Sequence, residues 1–169
     1  AVITMSLGGA GVRQSFDRTV NSATDNGLTV VVAAGNSNAD ACGYTPAFVP
    51  RAITVGSTTR FDARSWFSNY GPCLDIWAPG SDIISTGTSA GVTDTKSGTS
   101  MACPHVAGAA ALALQLEPTL TGDDVSEMLK EWSTAINITD AKNNSPIHFL
   151  YVGNQITEPG SLPASPTPV

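Results

Sequence analysis

Seven consecutive residues, Leu28-Thr29-Val30-Val31-Val32-Ala33-Ala34, carry no charge and a single hydroxyl. A strand with one wet face alternates apolar and polar side chains. This run does not alternate, so it reads as a strand buried on both faces, as in the middle of a parallel sheet. Parallel strands need a crossover connection, usually a helix. The residues before the run supply one. Ala1 to Leu7 reads as a strand, and Gly8-Gly9-Ala10-Gly11 ends it. Phe16, Val20 and Ala23 give Gln14 to Asn26 the spacing of an amphipathic helix, closed by Asn26-Gly27. Strand, helix and buried strand together indicate an α/β fold with helices on the faces of a mostly parallel sheet.

The rest of the chain extends that plan. Ala52 to Ser57 and Leu74 to Ala78 read as short strands, the second closed by Pro79-Gly80, and Ile83 to Thr86 as extended. Gly87 to Ser97 reads as a hairpin or loop. From Val106 to Leu116 the chain is apolar except for Gln115, the composition of a buried helix. Thr121 reads as the N-cap of a further helix, with Asp123 and Asp124 complementing its dipole and Val125, Met128, Leu129 and Trp132 forming its apolar face. Ile147 to Val152 reads as a last strand. Residues 157–169 contain four prolines and no apolar period, the mark of a disordered tail or linker, which leaves residues 1–156 as one domain.

A chain of 169 residues can bury a real core. Net charge is −6 without a basic cluster, which argues against nucleic acid as a partner. No apolar run approaches the ~18 residues of a membrane span.

Two residues carry candidate chemistry. Ser100 stands where a small, turn-prone run, Ser97-Gly98-Thr99-Ser100, meets the apolar helix. A serine there reads either as an N-cap or as a nucleophile whose oxyanion is held by free helix N–H groups. Asn36 follows Gly35 at the carboxyl end of the buried strand, where open α/β sheets place their crevice. It reads either as a turn residue or as an amide donor that completes a two-donor oxyanion hole with the Ser100 N–H. The base is harder to find. His105 lies ~140° around the helix axis from Ser100 at ~100° per residue, too far round to serve the hydroxyl. Nothing marks His148, between Ile147 and Phe149, as a base. Cys42 and Cys73 lie in Gly- and Pro-containing loops of the kind that pair in secreted proteins, and Cys103 reads as a buried thiol. No CxxC spacing suggests zinc.

The run Gly98-Thr99-Ser100-Met101-Ala102-Cys103-Pro104-His105-Val106-Ala107-Gly108 closely resembles the nucleophile motif of the subtilisin-like serine proteases. Thr or Ser usually stands where this chain has Cys103. Ser6-Leu7-Gly8-Gly9, Ala33-Ala34-Gly35-Asn36, Ser65-Trp66-Phe67-Ser68-Asn69-Tyr70-Gly71 and Ala78-Pro79-Gly80 resemble family segments in the same order. Asn38-Ala39-Asp40-Ala41-Cys42 is similar to the proteinase K branch.

The resemblance implies a three-layer, doubly wound, mostly parallel sheet, with a buried central helix that starts at the nucleophile. It implies an endopeptidase acting on polypeptides through an acyl-enzyme on Ser100, with Asn36 holding the oxyanion. Ser6, Leu7 and Gly8, with Ala33, Ala34 and Gly35, would line the substrate. It also implies a Cys42–Cys73 disulfide, secretion, a monomer, and a structural calcium on Pro50, Ala52 and Asp75, with no cofactor for catalysis. The Asp-x-Gly and His-Gly-Thr-His motifs that carry the family's other catalytic residues do not occur here. The base and its orienting acid are therefore expected in a missing N-terminal segment, which fits a chain that opens on a strand already under way. The competing expectation is a protease-derived module that binds peptides without cleaving them.

Overall fold

A computed structural model describes residues 1–142 and 144–153. The expected tail at 157–169 and the domain boundary at 156 lie outside the described residues. Six strands form the main sheet. They are β1 (Val2–Met5), β3 (Thr29–Ala33), β5 (Ile53–Thr58), β6 (Ile76–Pro79), β10 (His148–Phe149) and β9 (Thr134–Ala135), in that spatial order. Every pairing from β1 to β10 is parallel, and only β9 runs antiparallel. β3 is buried at all five positions, so the unbroken apolar run is indeed a two-faced central strand. Two short antiparallel ribbons stand apart, β2 (Gly9–Ala10) with β4 (Tyr44–Thr45), and β7 (Ile83–Thr86) with β8 (Thr93–Lys96).

Helix α1 (Gln14–Asp25) buries Val20 against Val30, Val32, Val49 and Ala52 on one side of the sheet. Helices α2 (Thr99–Leu116) and α3 (Gly122–Trp132) cover the other. Layers of helix, sheet and helix result, as an α/β chain requires. On α2, Ala102, Cys103, Val106, Ala109, Ala110 and Ala113 pack on Val31, Ile53, Val55 and Ile76. Its other face, with Pro104, His105, Gly108 and Ala111, is exposed. Burial of the helix is thus one-sided. Small residues on both faces had hidden the stripe. Thr121 caps α3 as read, and the structure adds a capping box, with Thr121 Oγ1 accepting from the Asp124 N–H at 3.2 Å and Asp124 Oδ2 accepting from the Thr121 N–H at 2.9 Å. Arg51 joins the two helical layers, meeting Asp25 at 2.6 Å and Asp123 at 2.7 Å.

The strand limits differ slightly from the sequence reading. Pro79 is the last residue of β6, paired with Thr58, whose carbonyl accepts from the Gly80 N–H at 3.0 Å. The last strand contracts to His148–Phe149. Cys42 and Cys73 are joined by a disulfide.

Candidate active site

The carboxyl ends of β1 and β3 lie side by side, because Met5 pairs with Val32. The chain leaves β1 through Ser6-Leu7-Gly8 and β3 through Ala34-Gly35-Asn36 on the same edge of the sheet. The first turn of α2 is packed against both exits. Ser6 Oγ–H donates to the Ser100 carbonyl at 3.0 Å, and Ser100 Oγ–H donates to the Ser6 carbonyl at 3.3 Å.

Ser100 is not the helix cap. Gly98 occupies that position, and Ser100 is the second helical residue, so its hydroxyl is not spent on a backbone donor. Pro104 sits four residues on, where an N–H would normally bond the Ser100 carbonyl. Proline has none, and the Ser6 hydroxyl takes that place.

Asn36 is held by its oxygen. Its Oδ1 accepts from the Thr99 N–H at 2.9 Å and from the Thr99 hydroxyl at 2.8 Å. A backbone N–H cannot face an NH2 group, so the orientation of the amide is forced and Nδ2 points away from Thr99. The Thr99 hydroxyl in turn accepts from the Gly35 N–H at 3.2 Å. A methyl built on Gly98 would lie 3.5 Å from Asn36 Nδ2 and 3.6 Å from the Ser100 nitrogen. Both nitrogens therefore border one small volume at the start of α2, and Asn36 and Ser100 line the same groove. Such an arrangement can stabilise negative charge on a carbonyl oxygen.

The loop that carries Asn36 rests on Asn69, which is fully buried. Asn69 Oδ1 accepts from the Ser37 and Ala39 N–H groups, and Nδ2 donates to the Ala34 carbonyl at 2.8 Å. Gly35 has φ +102, and a Cβ there would come 2.5 Å from Asn69 Nδ2, so only glycine lets the loop close on that amide. Asn69 was visible in the sequence only as part of a family segment. In Ser68-Asn69-Tyr70-Gly71-Pro72 it reads as a turn residue, and only its burial gives it this role.

A groove of about 410 Å³ opens beside Ser100. Ser6, Leu7 and Gly8 form one wall, and Ala33, Gly35 and Asn36 another, with Tyr44 at its end. Among the described residues no charged side chain lines it. Ala34, expected among the lining residues, does not reach it. Its methyl is fully buried beside Ala41 and Trp77, its N–H bonds the Val55 carbonyl, and its carbonyl is taken by Asn69.

Neither histidine is brought to Ser100. His105 Nδ1 lies 2.8 Å from the Met101 carbonyl on the outer face of α2, as its helical position required. His148 Nδ1 lies 2.8 Å from Ser133 Oγ. Cys103 is buried beneath β1, with Sγ 3.4 Å from Thr4 Oγ1, and burial pushes its thiol above the usual range.

The residues expected to hold calcium have a different arrangement. Asp75 Oδ2 accepts from the Thr54 N–H at 2.8 Å, and Asp75 Oδ1 faces Lys130 Nζ at 3.3 Å. Among the described residues no group of three His, Cys, Asp or Glu side chains could hold a metal. The expected set offers the backbone carbonyls of Pro50 and Ala52 and a single carboxylate, Asp75, whose outward oxygen already faces an ammonium, so as arranged here it does not fit a calcium ion. Burial raises the Asp75 carboxyl, which alone would favour its neutral form. Burial also opposes charge on Lys130, yet the carboxylates of Asp75 and Glu127 hold that ammonium above its ordinary value. Both side chains keep partly exposed tips, and the short separation favours the ionised pair.

Comparison with known proteins identifies the family and the fold. The model of the subtilase family matches residues 1–151. The chain is 54% identical over 152 residues to an extracellular serine proteinase of Thermus sp. (strain Rt41A), covering 89% of this chain and 37% of that protein. It is 48% identical over 144 residues to alkaline serine exoprotease A of Vibrio alginolyticus, covering 85% of this chain and 27% of that protein. A crystal structure of a cold-adapted subtilisin-like serine proteinase superposes with a TM-score of 0.84 at 46% identity, over 89% of this chain and 54% of that one. The chain thus spans a minor part of the length of these curated relatives. It belongs to the subtilase family of serine proteases.

Proposed function

We propose that this chain carries the nucleophile half of a serine endopeptidase site. In this reading Ser100 Oγ attacks the scissile carbonyl, and the oxyanion is held by the Ser100 N–H and Asn36 Nδ2. The approach of both nitrogens to one small volume at the start of the helix that carries Ser100 is the observation that supports the proposal. Ser6 to Gly8 and the backbone at Ala33 and Gly35 flank the substrate chain, and the uncharged groove suits apolar or aromatic side chains. Catalysis uses protein groups alone.

The hydroxyl still needs a base and an acid to orient it. Since both histidines of the chain are engaged elsewhere, these groups come from residues outside it. The greater length of the relatives leaves room for them. Alone, the chain would keep at most the ~10³–10⁴-fold advantage over water that an oxyanion hole and binding supply without a triad. Secretion fits the Cys42–Cys73 disulfide, which persists in an oxidising compartment.

The test is hydrolysis of a blocked peptide anilide by the full natural protein. Cleavage that Ser100→Ala abolishes supports the proposal. A folded full protein that binds the peptide but does not cleave it would establish the non-catalytic reading.

A further inference from the structure

We propose that the Lys130 ammonium is the built-in counter-cation of Asp75, the one carboxylate of the expected calcium set, so that the Asp75 corner is held by an ion pair and not by a metal. Asp75 opens β6 and is clamped to β5 by a reciprocal pair of bonds. Its N–H donates to the Thr54 carbonyl at 2.9 Å, and its Oδ2 accepts from the Thr54 N–H at 2.8 Å. That leaves Oδ1 as the oxygen that looks outward. Lys130 reaches it from α3 at 3.3 Å, and Glu127, one turn back on the same helix, holds the ammonium at 3.1 Å.

The position of the lysine does not depend on this contact. α3 is fixed by the Thr121 capping box, by Arg51 on Asp123, and by Val125, Leu129 and Trp132 in the core. Leu129, next to Lys130, is 1% exposed. The lysine stem therefore leaves the helix where Oδ1 is within reach.

Calcium asks for six to eight oxygens at ~2.3–2.6 Å. An ion bound at that distance to Oδ1 would lie within about 6 Å of Nζ, so two positive groups would share one carboxylate. The side chains of Lys130 and Asp75 are only 26% and 21% exposed, which limits the screening that would let them coexist. The ammonium meets the same need as a metal, neutralising a largely buried carboxylate and tying α3 to the β5–β6 edge. A chelator cannot remove it.

The test is thermal unfolding of the full natural protein, in EDTA and in millimolar calcium, for the wild type, Asp75→Asn and Lys130→Met. Calcium sites elsewhere in the full protein shift all three alike and cancel in the comparison. The expected result is the same calcium-dependent shift in Tm for the wild type and Asp75→Asn, with Asp75→Asn lower under both conditions. A smaller calcium response in Asp75→Asn than in the wild type would show that Asp75 binds the metal, and would overturn the proposal. Lys130→Met keeps the proposal testable if Asp75→Asn fails to fold. It should melt below the wild type in EDTA and regain part of the loss in calcium, as the freed Asp75 carboxylate takes the ion. Unchanged melting in EDTA, with the wild-type calcium response, would also refute it.

Discussion

The reciprocal bonds between Ser6 and Ser100 make a prediction that depends on a proline. Pro104 denies the Ser100 carbonyl its helical partner, and the Ser6 hydroxyl supplies a donor at 3.0 Å. Ser6→Ala removes that donor and leaves the Ser6 backbone in the substrate wall. A net hydrogen bond contributes about 0.5–1.5 kcal/mol, and this one is accessible to water, so the loss stays within that range. If the bond positions the nucleophile, the same energy appears in the barrier as a fall in kcat/KM of about 2- to 12-fold. Ser6→Thr keeps the hydroxyl and should keep most of the activity. Pro104→Ala restores an N–H four residues after Ser100 and removes the ring that crowds its carbonyl. In the Ser6→Ala background it should therefore recover activity. The double variant should be less impaired than the product of the single effects. The assay is kcat/KM on a peptide anilide with the full protein, alongside Tm for all four forms. Strict multiplicativity of the two effects, or Ser6→Ala at wild-type activity, would refute the argument.

Other substitutions separate holding the site from operating it. Asn36→Asp keeps the oxygen that Thr99 grips but loses the outward donor and adds charge beside the oxyanion. Folding should persist while kcat falls by more than the ~10²–10³ that loss of one donor costs, a range that itself comes from a subtilisin; activity within tenfold of wild type would contradict the assigned orientation. Replacing Cys42 and Cys73 by serine opens a crosslink with a sequence separation of 31. The chain-entropy model puts the cost at about 3.7 kcal/mol, measurable as a lower urea midpoint at unchanged activity under native conditions. Cys103 is buried, and burial raises its pKa, so the neutral thiol should resist Ellman's reagent in the native protein and react at once after denaturation.

Much of this architecture could be read from the residues because burial leaves a pattern. β3 announced itself by lacking alternation, and α3 by Thr121 and its apolar face. Ser100 and Asn36 came together because both stand at element ends on one edge of a parallel sheet. What stayed hidden depends on contacts between distant segments. The grip of Thr99 on the Asn36 amide spans 63 positions, and no local period records it. Asn69 resembles a turn residue until its burial is known. Lys130 looked like the wet edge of an amphipathic helix, and only the approach of α3 to Asp75 gave it a role. Ala34 was expected to line the substrate because the resemblance takes in Ala33-Ala34-Gly35 as one segment, but successive side chains on an extended segment point to opposite sides.

The central claim is that Ser100 is the nucleophile of an active protease site. Its most direct test is to treat the full natural protein with a fluorophosphonate and map the adduct by peptide mass spectrometry. The account predicts stoichiometric labelling at Ser100, lost in Ser100→Ala and strongly slowed in Asn36→Asp. A soluble, folded full protein that takes no label, or takes it at another serine, would contradict it.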